Sequence, residues 1–491
     1  MSRFGFIGPS YTAKSNVLSD EECINLFAET LETPGAQTQR SYLGTPGLKI
    51  FSALPKGPTR GSIELNGRSF EASGDTFYEV FSDGTFTVRM DSVLDPFGGP
   101  VSIAASNIEL LIVAGGRAWC YELSGNTFQD VTSKLAGTPL KAKYSDGYFI
   151  VMFSDSNKFQ MSAILDGTTW PGIQVNAVSV FPENIVSIEV SHRELWVIGA
   201  QHAQPYQDTG SDEIFDVIPG ALIEMGAAAT FGVDLLDNTV FWISEDERGA
   251  RQAWRANGYT PQRISTHAVE TALSSYSADS ISNMVSYSYQ DGGHLFWVIY
   301  IPGTDCSWVY DVAEGLWHKR AEWIQGIGKF GPHRSWNHMY AFGKHLVGDW
   351  QTGNLWEMKL AYDTGGGVYA FVTDNGQPIR RIRRAPTLMN ELNRIYFAEM
   401  RIQFAVGLGP QPPLTDGDGN PRPPEAVLRW SDDSGSTWSN EHARSCGFAG
   451  QYKTFVRWQR LGETRYGRVF ELILSDPVPW AITDAFLRMA S

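Results

Sequence analysis

Apolar residues in this chain come in short runs rather than helical stripes. Leu110-Leu111-Ile112-Val113, Ala118-Trp119-Cys120-Tyr121, Tyr148 to Phe153, Glu194 to Ile198, Val240 to Ile243 and His294 to Tyr300 are rich in β-branched and aromatic side chains, the composition of strands on a pleated, buried surface. Between such runs a glycine turn recurs about every 40 to 55 residues. The turns are Asp83-Gly84, Ser124-Gly125, Asp166-Gly167, Thr209-Gly210, Asn257-Gly258, Glu314-Gly315 and Thr352-Gly353. Glycine supplies the positive φ that tight hairpin turns need. An aromatic residue follows each turn: Phe86, Phe128, Trp170, Phe215, Tyr259, Trp317 and Trp356. Turn then strand, repeated at this period, predicts a β-propeller of six or seven blades over residues 51–362.

The rhythm fails at both ends. In residues 1–50 the stretch Asp20 to Thr30 predicts a helix, with Ser19 or Asp20 as N-cap and Glu22 in the first turn, followed by the turn-rich run Tyr42 to Leu48. The polar run Asp363-Thr364-Gly365-Gly366-Gly367 sets a boundary near residue 362. Beyond it, Arg394 to Val406, Ala426 to Trp430, Tyr452 to Gln459 and Arg468 to Leu474 read as strands of a second antiparallel β domain, residues 363–491. Its insertion 410–424 is too rich in Pro, Gly and Asp for a core and reads as a surface loop or flexible finger.

Composition agrees with a mainly β class, since 13% aromatic residues and 49 glycines suit many short strands and reversals. The formal charge of −15 argues against a chain that grips phosphate backbones as a whole, though not against one that DNA slides past, because acidic walls repel phosphates. Cys23, Cys120, Cys306 and Cys446 lack the close spacing of a metal site and read as free thiols of a protein made in a reducing cytosol. There is no apolar run of membrane-spanning length and no signal peptide.

Three features carry candidate chemistry. Ser431 to Trp438, SDDSGSTW, matches the Asp-box pattern Ser-x-Asp-x-Gly-x-Thr-Trp. With Ser431 as its first residue, it predicts a structural turn in which Asp433 accepts backbone N–H groups, Gly435 takes positive φ and Trp438 packs back beneath. Asp boxes occur in sialidases, and this one keeps a second reading open, a carbohydrate-binding or glycosidase-like propeller. The run Arg380, Arg381, Arg383 and Arg384 alternates faces if it is a strand. It suits a charge-protected edge strand, phosphate binding, or bidentate pairing with carboxylates of a neighbouring subunit or partner. His333, His338 and His345 lie close in sequence without a carboxylate at ligand spacing and read as surface histidines. No nucleophile elbow, Walker loop, zincin helix or dinucleotide fingerprint appears, so the chain reads as a non-enzyme without cofactor or metal.

Taken together, GFIGPSYTAKS at 5–15, CINLFAE at 23–29, YLGTPGL at 42–48, the hairpin SYSYQDGGHLFWVIYIPGTDCSWVYDVAEGLWHKR at 286–320, and RWSDDSGSTWSNEHARSCGFAGQYKTFVRWQRLGETRYGRVFEL at 429–472 resemble one family along the whole chain. It is the packaged-DNA stabilisation protein, or tail hub and nozzle protein, of short-tailed bacteriophages. The resemblance implies a virion tail component, assembled in the host bacterial cytoplasm as a six-fold ring below the portal and its adaptor. Its propeller would be inserted between N- and C-terminal segments that build a tube or platform domain together. Implied partners are further copies of the chain, the portal and adaptor, a spike, fibre or needle protein, and passing double-stranded DNA without sequence-specific binding. In such a ring Asp416, Asp418 and Glu425 are candidates to line the channel, and Arg380, Arg381, Arg383 and Arg384 to meet a subunit or the adaptor. A cellular propeller scaffold is a third class, and would be a monomer.

Overall fold

A computed structural model describes residues 2–15, 19–31, 40–95, 98–210, 214–360, 371–391, 393–409 and 413–490. The described chain is mainly β, as the alternation and turns predict. Six four-stranded meanders follow one another: Thr59–Leu65 to Phe86–Met90, Ser102–Ala105 to Thr127–Asp130, Pro139–Ser145 to Val175–Ala177, Ile185–Ser191 to Phe215–Val217, Asp234–Leu236 to Thr260–Arg263, and Val285–Asp291 to Leu316–Ile324. A closing sheet completes the propeller ring with Ser335–Ala341, Lys344–Asp349 and Asn354–Lys359, and its fourth strand is the N-terminal Gly47–Ala53.

Four of the seven glycine turns take the positive φ foreseen, at Gly84, Gly210, Gly258 and Gly315. At the other three the glycine is not left-handed. Asn126 and Leu165 take positive φ beside Gly125 and Gly167 instead. Gly353 is needed for space, since a Cβ there would lie 2.3 Å from the Leu54 carbonyl and 2.5 Å from that of Lys56.

Asp20 to Thr30 is not a helix but two strands, Asp20–Ile24 and Leu26–Thr30, separated by Asn25 at φ 56°. Leu26, Phe27 and Ala28 are consecutive and all buried. A short apolar run covered on both faces has no period that separates helix from strand. Residue 50 falls inside the strand Gly47–Ala53, while residue 362 and the glycine run 363–367 lie outside the described residues.

The second domain is a sandwich. One sheet pairs Leu26–Thr30, Arg40–Gly44, Ala481–Ala490, Ile395–Phe404 and Val456–Gln459, with Ser2–Arg3 and Glu463–Thr464 as short additions. The other is continuous with the sixth blade: Asp20–Ile24 pairs in parallel with Leu316–Ile324 and antiparallel with Arg381–Arg384, and Val469–Leu474, Glu425–Ser431 and His442–Ser445 follow. Phe6, Cys23, Leu26 and Tyr42 of the N-terminal segment share one core with Met400, Trp458, Phe470 and Leu487. Ile24, Ile382 and Ile473 pack instead with Trp297, Trp308 and Trp317 of the sixth blade. The N-terminal segment therefore belongs to both domains.

The insertion is a small surface hairpin over its described part: Leu414–Thr415 pairs with Pro421–Arg422 around Asp416. Residues 410–412 lie outside the described residues. Arg422 holds the hairpin base to Asp476 at 2.5 Å, and the Glu425 backbone N–H donates to the same carboxylate at 2.7 Å.

Candidate functional site

The densest polar chemistry among the described residues lies where Asp20–Ile24 and Arg381–Arg384 run side by side between the propeller and the sandwich. Arg381–Arg384 is an interior strand, paired on both sides, and not an edge. Its alternation is as read from the sequence, and each face does a different job.

Arg381 and Arg383 point into the sandwich core. The Arg383 side chain is 0% exposed and pairs with Glu21 at 2.7 Å. It also donates from Nε to the Phe6 carbonyl at 2.6 Å and from Nη1 to that of Pro9 at 3.0 Å, and faces the Phe6 and Tyr42 rings. Gly8 N–H donates to the Tyr42 hydroxyl at 2.7 Å. One guanidinium thus fastens the arm Phe6 to Pro9, its five donors suiting several acceptors at fixed angles. Arg381 Nη1 donates to the Ile379 carbonyl at 3.2 Å, and its side chain occupies the space beside Gly44, where a Cβ would lie 2.9 Å from Nε. Both arginines are consumed inside the chain, so neither presents a surface to a neighbour.

On the opposite face Arg384 bridges Asp20 at 2.7 Å and Glu471 at 2.9 Å, and Glu471, itself fully buried, also takes Arg429. Trp438 lies under both cations, 5.0 Å from Arg384 and 4.6 Å from Arg429. Lys319 of the sixth blade grips both oxygens of Glu22 at 2.9 and 3.0 Å. Burial opposes ionisation of Glu22, but the Lys319 ammonium and then Arg384 outweigh it and hold the carboxyl below its ordinary range. For Asp20 burial wins over Arg384, and its pKa is raised. Arg380 stacks on Trp323 at 4.4 Å, with Glu441 3.9 Å away. Glu22, Lys319, Arg380, Arg384, Arg429 and Glu471 border a cleft of about 400 Å³ that also meets Asp305 and Phe330.

Asn25, 1% exposed, ties the two domains directly. Its Nδ2 donates to the carbonyls of Ala321 and Arg380, both at 2.8 Å, and its Oδ1 accepts the Ala321 N–H at 2.9 Å. Asn tolerates the left-handed conformation that this reach requires. Sequence reading gave no junction role to Asn25 or Lys319 and took Glu22 for a helix-start residue; the one local signal was Asn25, polar inside the apolar run Ile24 to Ala28.

The Asp box forms the turn its pattern predicts. Asp433 accepts from Thr437 N–H at 2.8 Å and Thr437 Oγ1 at 2.6 Å, with Ser431 Oγ at 2.7 Å. The Thr437 hydroxyl first, then its N–H, lower the Asp433 pKa to about 2. Gly435 has φ 88° and sits against Asp20, where a Cβ would come within 2.5 Å. Trp438 packs back against its own turn, 3.9 Å from the Cβ position of Gly435, and its ring also lies under the two arginines. The neighbouring Asp432 pairs bidentately with the buried Arg468 at 2.6 and 2.7 Å. The box therefore lies in the sandwich, against the junction, and supports it.

Asp416 and Asp418 are exposed at the hairpin tip and Glu425 at its base. The Asp416 carboxylate accepts N–H groups from Asn420 at 2.8 Å and Asp418 at 3.0 Å, and the Asn420 N–H lowers its pKa. Of the three histidines His333 is buried rather than at the surface, at 4% exposure, and bonds Ser335 at 2.6 Å, while His338 and His345 are half-buried and meet at 3.0 Å. Desolvation lowers the pKa of both His333 and His338 to about 3, which favours the neutral imidazole at each. All four cysteines are free and buried. Among the described residues no three His, Cys, Asp or Glu side chains converge as metal ligands, and no helix is long and apolar enough to cross a membrane.

Two family models cover nearly the whole chain. One, described as bacteriophage P22 Gp10, beta-propeller, matches residues 7–362, and the other, bacteriophage P22 Gp10, beta-sandwich, matches residues 380–490. No curated protein matches significantly. Similar solved structures include the N-terminal domain of Nup159 (10% identity, 68% of this chain and 98% of that one, TM-score 0.42). Others are a streptogramin B lyase (7%, 64% and 98%, 0.44) and YCF48 from Cyanidioschyzon merolae (11%, 64% and 99%, 0.43).

Proposed function

Because the chain belongs to the bacteriophage P22 Gp10 family, whose members are structural proteins of the phage virion, we propose that it forms a tail nozzle: a ring, six-fold in the family reading, below the portal and adaptor that continues the DNA channel. The observation that carries this reading is the shared platform. Residues before and after the propeller fold into one sandwich, and a continuous sheet runs from that sandwich into the sixth blade. A propeller held this way is a rigid lateral body on a tube-building core, as a load-bearing ring requires. In the ring, Asp416, Asp418 and Glu425 on the pinned hairpin face the lumen, where carboxylates repel passing phosphates and leave no sticking points. Of the four arginines, Arg380 and Arg384 remain near enough to the surface to meet a subunit or the adaptor. The propellers, outermost, offer attachment for spikes or fibres.

The test is the mass of the purified chain alone and with the matching portal and adaptor, followed by negative-stain imaging. A six-fold ring capping the adaptor is the expected result. A monomer with no affinity for that complex would end this reading.

A further inference from the structure

The outer face of the sandwich's first sheet combines like charges in register. Arg457 stands directly opposite Arg401, and Phe486 and then Arg3, itself paired with Asp484 at 2.8 Å, continue the same row across two further strands. Like charges placed opposite one another across a sheet are destabilising unless an anion lies between them. The carboxylate beneath this face is Glu399, 2% exposed, which takes Arg401 at 2.7 Å and Arg488 at 3.4 Å. Arg457 makes no direct ion pair among the described residues, although its charge also acts on Glu399, and its neighbour Arg444 bonds the backbone carbonyls of Arg457 and Ala443. Beside the row runs a groove of about 650 Å³ bordered by Arg401, Phe486, Tyr452 and Phe455. Tyr452 is 71% and Phe455 81% exposed. Arginine with Tyr and Phe around an apolar groove is the composition of a protein interface core and of its energetic hot spots.

Charge is divided between the domains in a way that supplies the partner. Residues 380–490 hold 15 of the 39 Lys and Arg but only 12 of the 54 Asp and Glu, so they stand at +3 while the rest of the chain stands at −18. We propose that this basic, aromatic face docks on the acidic propeller of a second copy of the chain. Such a contact joins two different surfaces, and contacts of that kind close into rings or run on as filaments. The inference rests on the ring reading for its partner and adds to it the face, the orientation and the charge.

The experiment compares the full-length chain with Arg401→Glu/Arg457→Glu and with Phe455→Ser, by sedimentation over a range of protein and salt concentrations, with circular dichroism to verify folding. Binding of a short fluorescein-labelled DNA duplex is measured in parallel. The expected result is salt-sensitive self-association of the wild type, weakened about tenfold or more in both folded variants. Tyr466→Ser, an exposed aromatic away from the groove, is expected to associate as wild type does. Unchanged assembly in both variants overturns this inference and leaves the ring reading standing. A wild type that stays monomeric under all conditions, alone and with the portal and adaptor, overturns both. Loss of duplex binding with assembly intact overturns it in favour of a nucleic-acid face.

Discussion

At Gly47–Ala53 the N-terminal segment closes the propeller through an antiparallel ladder with Asn354–Lys359, lined by Leu48, Trp356 and Met358. Along Asp20–Ile24 and the Asn25 that follows it, the same segment joins propeller to sandwich through Lys319, Arg383, Arg384 and the Asn25 carboxamide. The ladder depends on backbone bonds and shape, which many side chains satisfy. The junction depends on named partners whose loss strands a buried charge or amide. A segment that contributes to two cores therefore tolerates substitution unevenly along its length.

The largest expected break is Arg383→Met. Removing one member of a buried ion pair leaves Glu21 and the Phe6 and Pro9 carbonyls without their donor, at a cost of about 3–5 kcal/mol. Adding Glu21→Gln should recover part of that loss. In the ladder, Ile50→Thr changes a 41% exposed side chain and should cost less than about 1 kcal/mol. Equal losses of melting temperature at the two sites, read by calorimetry, would erase the contrast.

Asn25 comes next. Asn25→Leu removes three buried hydrogen bonds and places a branched residue at φ 56°, for an expected loss of about 2–3 kcal/mol. Asn25→Gly keeps the backbone conformation and loses the bonds, so the difference between the two variants separates strain from bonding. On the ladder side, Gly353→Ala forces a methyl against two carbonyls and should cost about 1–3 kcal/mol through overpacking. Chemical denaturation of all three variants orders these effects.

The same contrast governs what was legible in the sequence. Ladder and blades repeat, so the runs at Tyr148 to Phe153 and His294 to Tyr300 became strands with those bounds. The box at Ser431 to Trp438 also formed as its pattern dictates, because a local turn is decided by adjacent residues. The junction does not repeat. Its partners lie hundreds of residues apart, as Lys319 and Glu22 do, and only tertiary pairing distinguishes them from solvated charges. The same long-range pairing turned Asp20 to Thr30 from the expected helix into two strands. It also made an interior strand of the arginine run, which by composition reads as an edge.

The last contrast between the two seams is a difference in sign with pH. At the junction Glu22 titrates below its ordinary 4.5 in the folded chain, so its contribution is present above pH 4.5 and is lost as pH falls through the folded value. Where the first blade meets the closing blade, Glu71 behaves oppositely. It is 0% exposed, its carboxyl oxygens make no well-formed hydrogen bond among the described residues, and burial raises its pKa well above 4.5 against the opposing pull of the Asn337 carboxamide. Its contribution is complete below pH 4.5 and is lost as pH rises through the folded value. Glu71→Gln keeps the shape and removes the charge. The variant should therefore match wild type near pH 4 and exceed it at alkaline pH by an amount on the order of 1–2 kcal/mol. Glu22→Gln should do the reverse, losing stability at neutral pH and flattening the acid limb. Melting curves across pH 4 to 9 for both variants decide the matter. Parallel profiles would mean that the two seams unfold as one charged unit and that their chemistry is not separable.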